Sequence, residues 1–309
     1  MNNIIKLIIN ADDFGFSPSV NSAILSGAIA GNITAASLMV NMPFAEEAAK
    51  SVQNYCNNNY NALSLGLHFT ITSGKPVSKP SEIPLLIDSQ GLFRFSFFGL
   101  LRMLRSKKRE QFLRQIQIEF FAQMELMNNF VTKYRLRFDH LDSHQHIHVI
   151  TGIFDLLKKE SDKRNLSLRI PREIFGGFKR IIKRFHAWFP QGFIKRAILN
   201  HYLKSTKQNI GYFGILESGK IDEYSLQEIL RVIETDNFHF DQYEINIHPS
   251  DFSVAQKDEL LCCSAGDYNF HNSQNRTKEL QTIQNKNFQT IINKHKIKLT
   301  GFTTDKLPY

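Results

Sequence analysis

The chain has 309 residues, of which 42% are hydrophobic and 22% charged, with three cysteines and a formal net charge of +9. Those proportions exclude a disordered chain, a collagen-like repeat and a disulfide scaffold, and the length suffices for an apolar core without crosslinks. Residues 94–114 carry +6 and residues 172–207 carry +8, so the remaining chain is about −5, which speaks against general nucleic-acid binding.

Apolar runs alternate with helical patterns along the whole chain. Residues 4–10 read as a buried strand running into Ala11-Asp12-Asp13-Phe14-Gly15. Ser17-Pro18 opens a helix that reaches about Ala30 and stops at Gly31. A strand at 35–40, a helix at 45–54 and a strand at 63–67 ending at His68 follow. Then come an amphipathic helix at 110–134, a strand at 138–142, a helix at 153–165 and a strand at 166–170 before Pro171. The last part reads as a helix at 226–235, a strand at 243–247 ending at His248-Pro249, a helix at 277–294 and a strand near 298–302. Such alternation implies an α/β fold with a parallel sheet and crossover helices, in which function gathers where strands end. Asp12, Asp13, Asn41, His68, Asp142, His144, Arg169 and His248 all fall at predicted strand exits. No linker or internal repeat divides the chain, so residues 1–309 form one expected domain with basic, aromatic inserts near 92–114 and 172–207.

Residues 4–9 are too short for a signal segment, and no stretch approaches the ~18 apolar residues of a spanning helix. With sparse cysteines, the expected location is cytoplasmic. The basic inserts also carry aromatics, a combination suited to peripheral contact with an anionic inner membrane face. The alternative is a solvated helix face lying over a hydrophobic core.

The chemistry concentrates in Asp139-His140-Leu141-Asp142-Ser143-His144-Gln145-His146-Ile147-His148. If this segment is extended, Asp142, His144, His146 and His148 share one face. Four histidines in nine residues are costly to bury without partners, and a divalent cation is the usual partner of neutral imidazoles. Asp12-Asp13 adds two carboxylates that Ser17, the better helix cap, leaves unexplained. His68 follows Gly66, which permits close backbone approach.

These motifs, together with Asn10-Ala11-Asp12-Asp13-Phe14-Gly15, Gly66-Leu67-His68, Arg169-Ile170-Pro171 and His248-Pro249, resemble the YdjC-like carbohydrate deacetylase family over nearly the whole chain. The run 211–219 and the basic central insert look more like the hopanoid-biosynthesis-associated branch than the chitooligosaccharide branch. The resemblance implies an irregular (β/α) TIM-like barrel of the glycoside hydrolase/deacetylase type. It also implies removal of acetate from N-acetylated sugars, free or lipid-linked, with Mg²⁺ as the divalent metal. By position it makes Asp13, His68 and His144 the metal ligands, Asp12 the general base, Arg169 its orienting partner and His248 the acid. Asn41 and His148 are expected to meet the substrate, and a homodimer is conceivable on the same grounds. Two imidazoles and one carboxylate suit Zn²⁺ or another transition ion better than Mg²⁺. Ser250-Asp251 after His248-Pro249 departs from the Gly or Ala usual in the family. The competing readings are a diacetylchitobiose deacetylase (acting on the free or 6-phosphorylated sugar), a glycosidase using paired carboxylates, and a non-catalytic membrane- or polyanion-binding barrel.

Overall fold

The computed structural model describes residues 4–58, 63–174, 209–235, 240–251, 270 and 273–302. The apolar run near the start becomes β1 (Ile5–Phe14), whose last eight residues are all buried. It is followed by α1 (Pro18–Ile29), β2 (Ala35–Leu38), α2 (Ala45–Asn58) and β3 (Ser64–Phe69). Next come α3 (Phe97–Met103), α4 (Arg109–Tyr134), β4 (Phe138–Ser143), α5 (Ile153–Arg164) and β5 (Ser167–Leu168). The chain ends with β6 (Ile210–Phe213), α6 (Glu223–Thr235), β7 (Gln242–Ile247), α7 (Gln274–Gln284), α8 (Phe288–Lys294) and β8 (Ile297–Leu299). α1 begins where expected: the Ser17 hydroxyl accepts the Val20 amide and Pro18 occupies the first turn.

The strands pair in the order β5-β4-β3-β2-β1-β7-β6, and every described pairing is parallel. β8 takes the first residues of β1, while β2 takes the residues toward its end. Beyond β5 the chain reaches β6 through a parallel bridge from Glu173 to Tyr212. There the Ile174 amide donates to the Tyr212 carbonyl at 2.9 Å and the Tyr212 amide to the Arg172 carbonyl at 3.2 Å. The sheet thus returns on itself as an irregular α/β barrel, as the sequence leads one to expect.

Three expectations need correction. β6 was not among the expected strands: four residues with one glycine carry too little periodicity to register. The single helix at 277–294 is two, because Asn285 leaves the helical region at φ −60° and ψ 126°. The histidine segment is not extended past Ser143. It turns into a tight helix over His144–Val149, with Gln145 and His146 in the left-handed region, so the expected common face of Asp142, His144, His146 and His148 does not exist.

Around residues 92–114, Phe93, Phe97, Leu100 and Leu104 are buried in the core, whereas Arg94, Arg102, Arg105, Lys107 and Lys108 are exposed. Phe95 and Phe98 are half-buried against that core, so most of the aromatic surface faces inward and the cations face outward. Residues 175–207 of the second basic insert lie outside the described residues. Among the described residues no helix is long and apolar enough to cross a membrane.

One face of α4 fixes the loop that leaves β3. Glu119 accepts the Val77 and Ser78 amides, Gln115 accepts the Leu85 amide, and Gln123 both accepts from and donates to the Thr70 main chain. Their spacing of four puts these polar groups on one stripe of the helix.

Candidate active site

Adjacent residues of a regular strand point to opposite faces, so Asp12 and Asp13 could not both serve one site on a straight β1. The strand is not straight there. Its register with β2 advances three residues from Ala11 to Phe14 against two on the partner, and Asp13 has φ +65°. The extra residue is a bulge that aims both carboxylates at the same barrel end.

Asp13 meets His68 from the end of β3 and His144 from the turn after β4. The His144 Nδ1 lies 2.9 Å and the His68 Nε2 3.5 Å from the Asp13 Oδ1. All three residues are buried, and their donor atoms lie within 4.8 Å of one another. On the far side of its ring, His68 Nδ1 lies 2.7 Å from the Asp142 Oδ1. That contact holds the proton on Nδ1 and turns Nε2 toward Asp13, the arrangement by which a carboxylate orients a metal-bound histidine. Burial alone would depress the His68 pKa, but Asp12 and Asp142 bring it up to about 9. Without a cation the imidazole therefore keeps a proton on each nitrogen, and a metal would displace the one on Nε2. The donor set fits a divalent ion on these grounds.

Beside this cluster stands Arg169, wholly buried after β5. It holds Asp12 through two contacts, Nη1 to Oδ2 at 2.9 Å and Nη2 to Oδ1 at 2.8 Å. The same guanidinium reaches Asp142 at 2.9 Å and Glu244 at 2.7 Å. Asp12 also accepts from the Asn10 and Asn246 amides, at 2.8 and 2.9 Å. Burial opposes ionisation of Asp12, yet Arg169, with His68 and His248, holds its carboxyl well below the usual range. Asp142 shifts in the same direction: Arg169 and His68 outweigh its burial. In Glu244 burial wins and pushes the carboxyl up to about 7 against the pull of Arg169.

His248 closes the other wall, its Nε2 3.9 Å from the Asp12 Oδ2. Burial pushes its pKa down to about 4 in spite of Asp13 and Asp12, so it rests as a neutral imidazole. The structure therefore gathers Asp12, Asp13, His68, His144, Arg169 and His248 around one centre.

Asn41 stands at the β2 exit. Its Nδ2 donates to the Ser73 and Lys75 carbonyls, tying the β2 exit to the β3 loop. His148, expected to meet substrate, has an internal position. It is fully buried, Nδ1 bonded to the Ser143 hydroxyl at 2.5 Å and Nε2 to the Arg169 carbonyl at 3.0 Å. Burial pushes it down to about 3, and with both nitrogens engaged it braces the Arg169 main chain. His140 is likewise internal, stacked on Phe302 at 4.1 Å and bonded to Asp139. It also explains Gly66, because a Cβ there would meet the His140 ring at 2.2 Å.

Glu244, Asn246, Arg276 and Glu279 were missed by sequence reasoning. For the first two a signal existed: Gln242, Glu244, Asn246 and His248 alternate with Tyr243, Ile245 and Ile247, a polar row within a strand buried on both faces. Arg276 and Glu279 sit on a polar helix and carry no comparable signal.

Fold and site together define an α/β barrel with a buried two-histidine, one-aspartate cluster at its strand exits. The family model for YdjC-like protein matches residues 6–294, and the chain belongs to that family. A carbohydrate deacetylase of Clostridium beijerinckii is 27% identical over 301 residues, spanning 96% of this chain and 98% of the relative. A carbohydrate deacetylase of Xenopus laevis is 26% identical over 97% of both chains. A chitooligosaccharide deacetylase of Salmonella paratyphi B is 32% identical over 54% of this chain and 60% of its own length. The solved structure of an Enterococcus faecalis protein, described as a cellobiose-phosphate cleavage protein, superposes with a TM-score of 0.66. It shares 21% identity and covers 97% of this chain and 98% of its own, a likeness of fold.

Proposed function

We propose that this protein is a metal-dependent N-deacetylase of an N-acetylated carbohydrate, with glucosamine-type units in a soluble oligosaccharide as the substrate class. The observation that carries the reading is the convergence of Asp13, His68 and His144, with His68 oriented by Asp142. The names of the relatives support the substrate class, and the inward-facing aromatics at 92–114 favour a soluble sugar over a lipid-anchored one.

Asp13, His68 and His144 would hold the cation, and their nitrogen-rich set favours Zn²⁺ or another transition ion over Mg²⁺. When bound, the cation polarises the amide carbonyl and lowers the pKa of an adjacent water. Asp12 takes the proton of the attacking water. Because four donors already stabilise its charge, it is a weak base. His248 then delivers a proton to the leaving amine nitrogen. As a neutral imidazole at rest it must first receive one, and Asp12 is 3.9 Å away. The proton that leaves the water thus ends on the amine, and water plus amide gives amine and acetic acid, which ionise to ammonium and acetate without an external acid. Arg169 keeps Asp12 ionised and fixed between the two walls.

The test is acetate release from diacetylchitobiose and other N-acetylglucosamine conjugates. Release should stop on chelation and return with added Zn²⁺ or Mg²⁺. Release indifferent to chelator, or none from any conjugate, would overturn the reading.

A further inference from the structure

α7 reaches the site by two buried charges three residues apart, on one face of the helix. Arg276 is wholly buried. Its Nε donates to the His248 carbonyl at 2.8 Å and its Nη2 lies 3.3 Å from the Asp13 Oδ2. Glu279, also wholly buried, accepts the His248 amide at 2.6 Å and the Ile221 amide at 2.8 Å. The peptide groups on both sides of His248 are thereby gripped, the amide by one α7 side chain and the carbonyl by the other. Phe270 fixes the guanidinium further, its ring centre 4.4 Å from the Arg276 Cζ and 5.2 Å from the His248 ring. Asp13 is divided in the same way: Oδ1 faces His68 and His144, while Oδ2 faces Arg276.

We infer that Arg276 and Glu279 are positioning residues that couple the two halves of the site. Arg276 leaves Asp13 a single oxygen for the cation, and together with Glu279 it sets the distance of His248 from Asp12. This rests on the reading of the site given above and deepens it. A structural role alone would not require one guanidinium to span a metal-ligand carboxylate and the main chain of the proton-carrying histidine. The fork matters as well as the charge, since an ammonium is a single point and cannot hold both acceptors in fixed geometry.

The experiment uses the full chain stripped with EDTA and titrated calorimetrically with ZnCl₂, beside acetate release from diacetylchitobiose. Removing a positive charge next to Asp13 would by itself tighten cation binding. Loss of an orienting partner instead weakens it, by roughly 10- to 100-fold. Arg276→Met and Arg276→Lys should both show the weakening; unchanged or tighter Zn²⁺ binding in the lysine variant overturns the inference, even if the methionine variant fails to fold. Glu279→Gln should lower kcat roughly tenfold with KM unchanged, and should add no loss in a His248→Ala background. Equal losses in both backgrounds would make Glu279 merely structural. A wild-type protein that binds no Zn²⁺ and releases no acetate sinks the functional reading. A wild type that does both, with variants indifferent, sinks only the clamp.

Discussion

Arg169→Met removes one cation from between three buried carboxylates, and the consequences follow from what each retains. Asp142 keeps the Ser37 hydroxyl at 2.6 Å and His68 at 2.7 Å. Asp12 keeps the amides of Asn10 and Asn246. Glu244 loses its ion pair with Arg169, but with its carboxyl already near 7 it escapes most of the penalty by taking a proton. The cost therefore falls mainly on Asp12 and Asp142, and breaking such a buried ion pair costs about 3–5 kcal/mol. Against a typical stability of about 5–15 kcal/mol this is severe but survivable. At about 2–4 °C per kcal/mol for a large domain, the melting temperature should fall by about 6–20 °C at pH 7. The sign of the pH dependence is the sharper test. In the wild type, Asp12 has a folded pKa below its unfolded value, so its stabilisation is present above about pH 4 and is lost on further acidification. Without Arg169 the buried carboxyls move above their unfolded values, so they destabilise at neutral pH and the deficit shrinks as pH falls from 7 toward 5. Differential scanning calorimetry across that range measures both. A deficit below about 2 °C, or one equally large at pH 5 and 7, would refute the account of Arg169 as the charge that holds the site together.

Asp13→Ala and His144→Ala should each lose the bound cation and acetate release together, measured by metal analysis of dialysed protein. Asp12→Asn should retain the metal and lose about 10²- to 10⁴-fold in kcat; full turnover in that variant would remove Asp12 from the base role. Gly66→Ala puts a methyl where the His140 ring lies, so urea unfolding should show a loss of about 1–3 kcal/mol from overpacking. His148 takes up a proton in the unfolded chain near pH 6.5 but in the folded protein only near 3. Wild-type stability should accordingly decline as pH drops below 6.5, and His148→Gln should show a shallower acid limb in the same titration.

The positions of most strands and helices could be read directly from the chain because apolar period is a local property. β1, β3 and β4 and the long helix α4 are marked by their own side-chain patterns, and the carbohydrate deacetylase resemblance rests on short motifs at strand exits. The segment holding four histidines shows where local pattern stops being informative. His140, His144, His146 and His148 are chemically alike in the sequence, and an extended run would align all four of them. The backbone turns after Ser143 instead, leaving His144 beside Asp13 while His140 packs on Phe302 and His148 supports Arg169.

The chain alone thus determined the α/β alternation, the strand exits where polar residues collect, and the identity of the residues able to bind a cation. Tertiary structure decided which imidazoles meet a carboxylate, how a bulge lets neighbouring aspartates serve one centre, and that Arg276 from α7 reaches both His248 and Asp13, the latter 263 positions away in sequence. The reason is physical: donor chemistry and periodicity belong to a residue and its neighbours. Burial, protonation and partner depend on which distant strands and helices pack together.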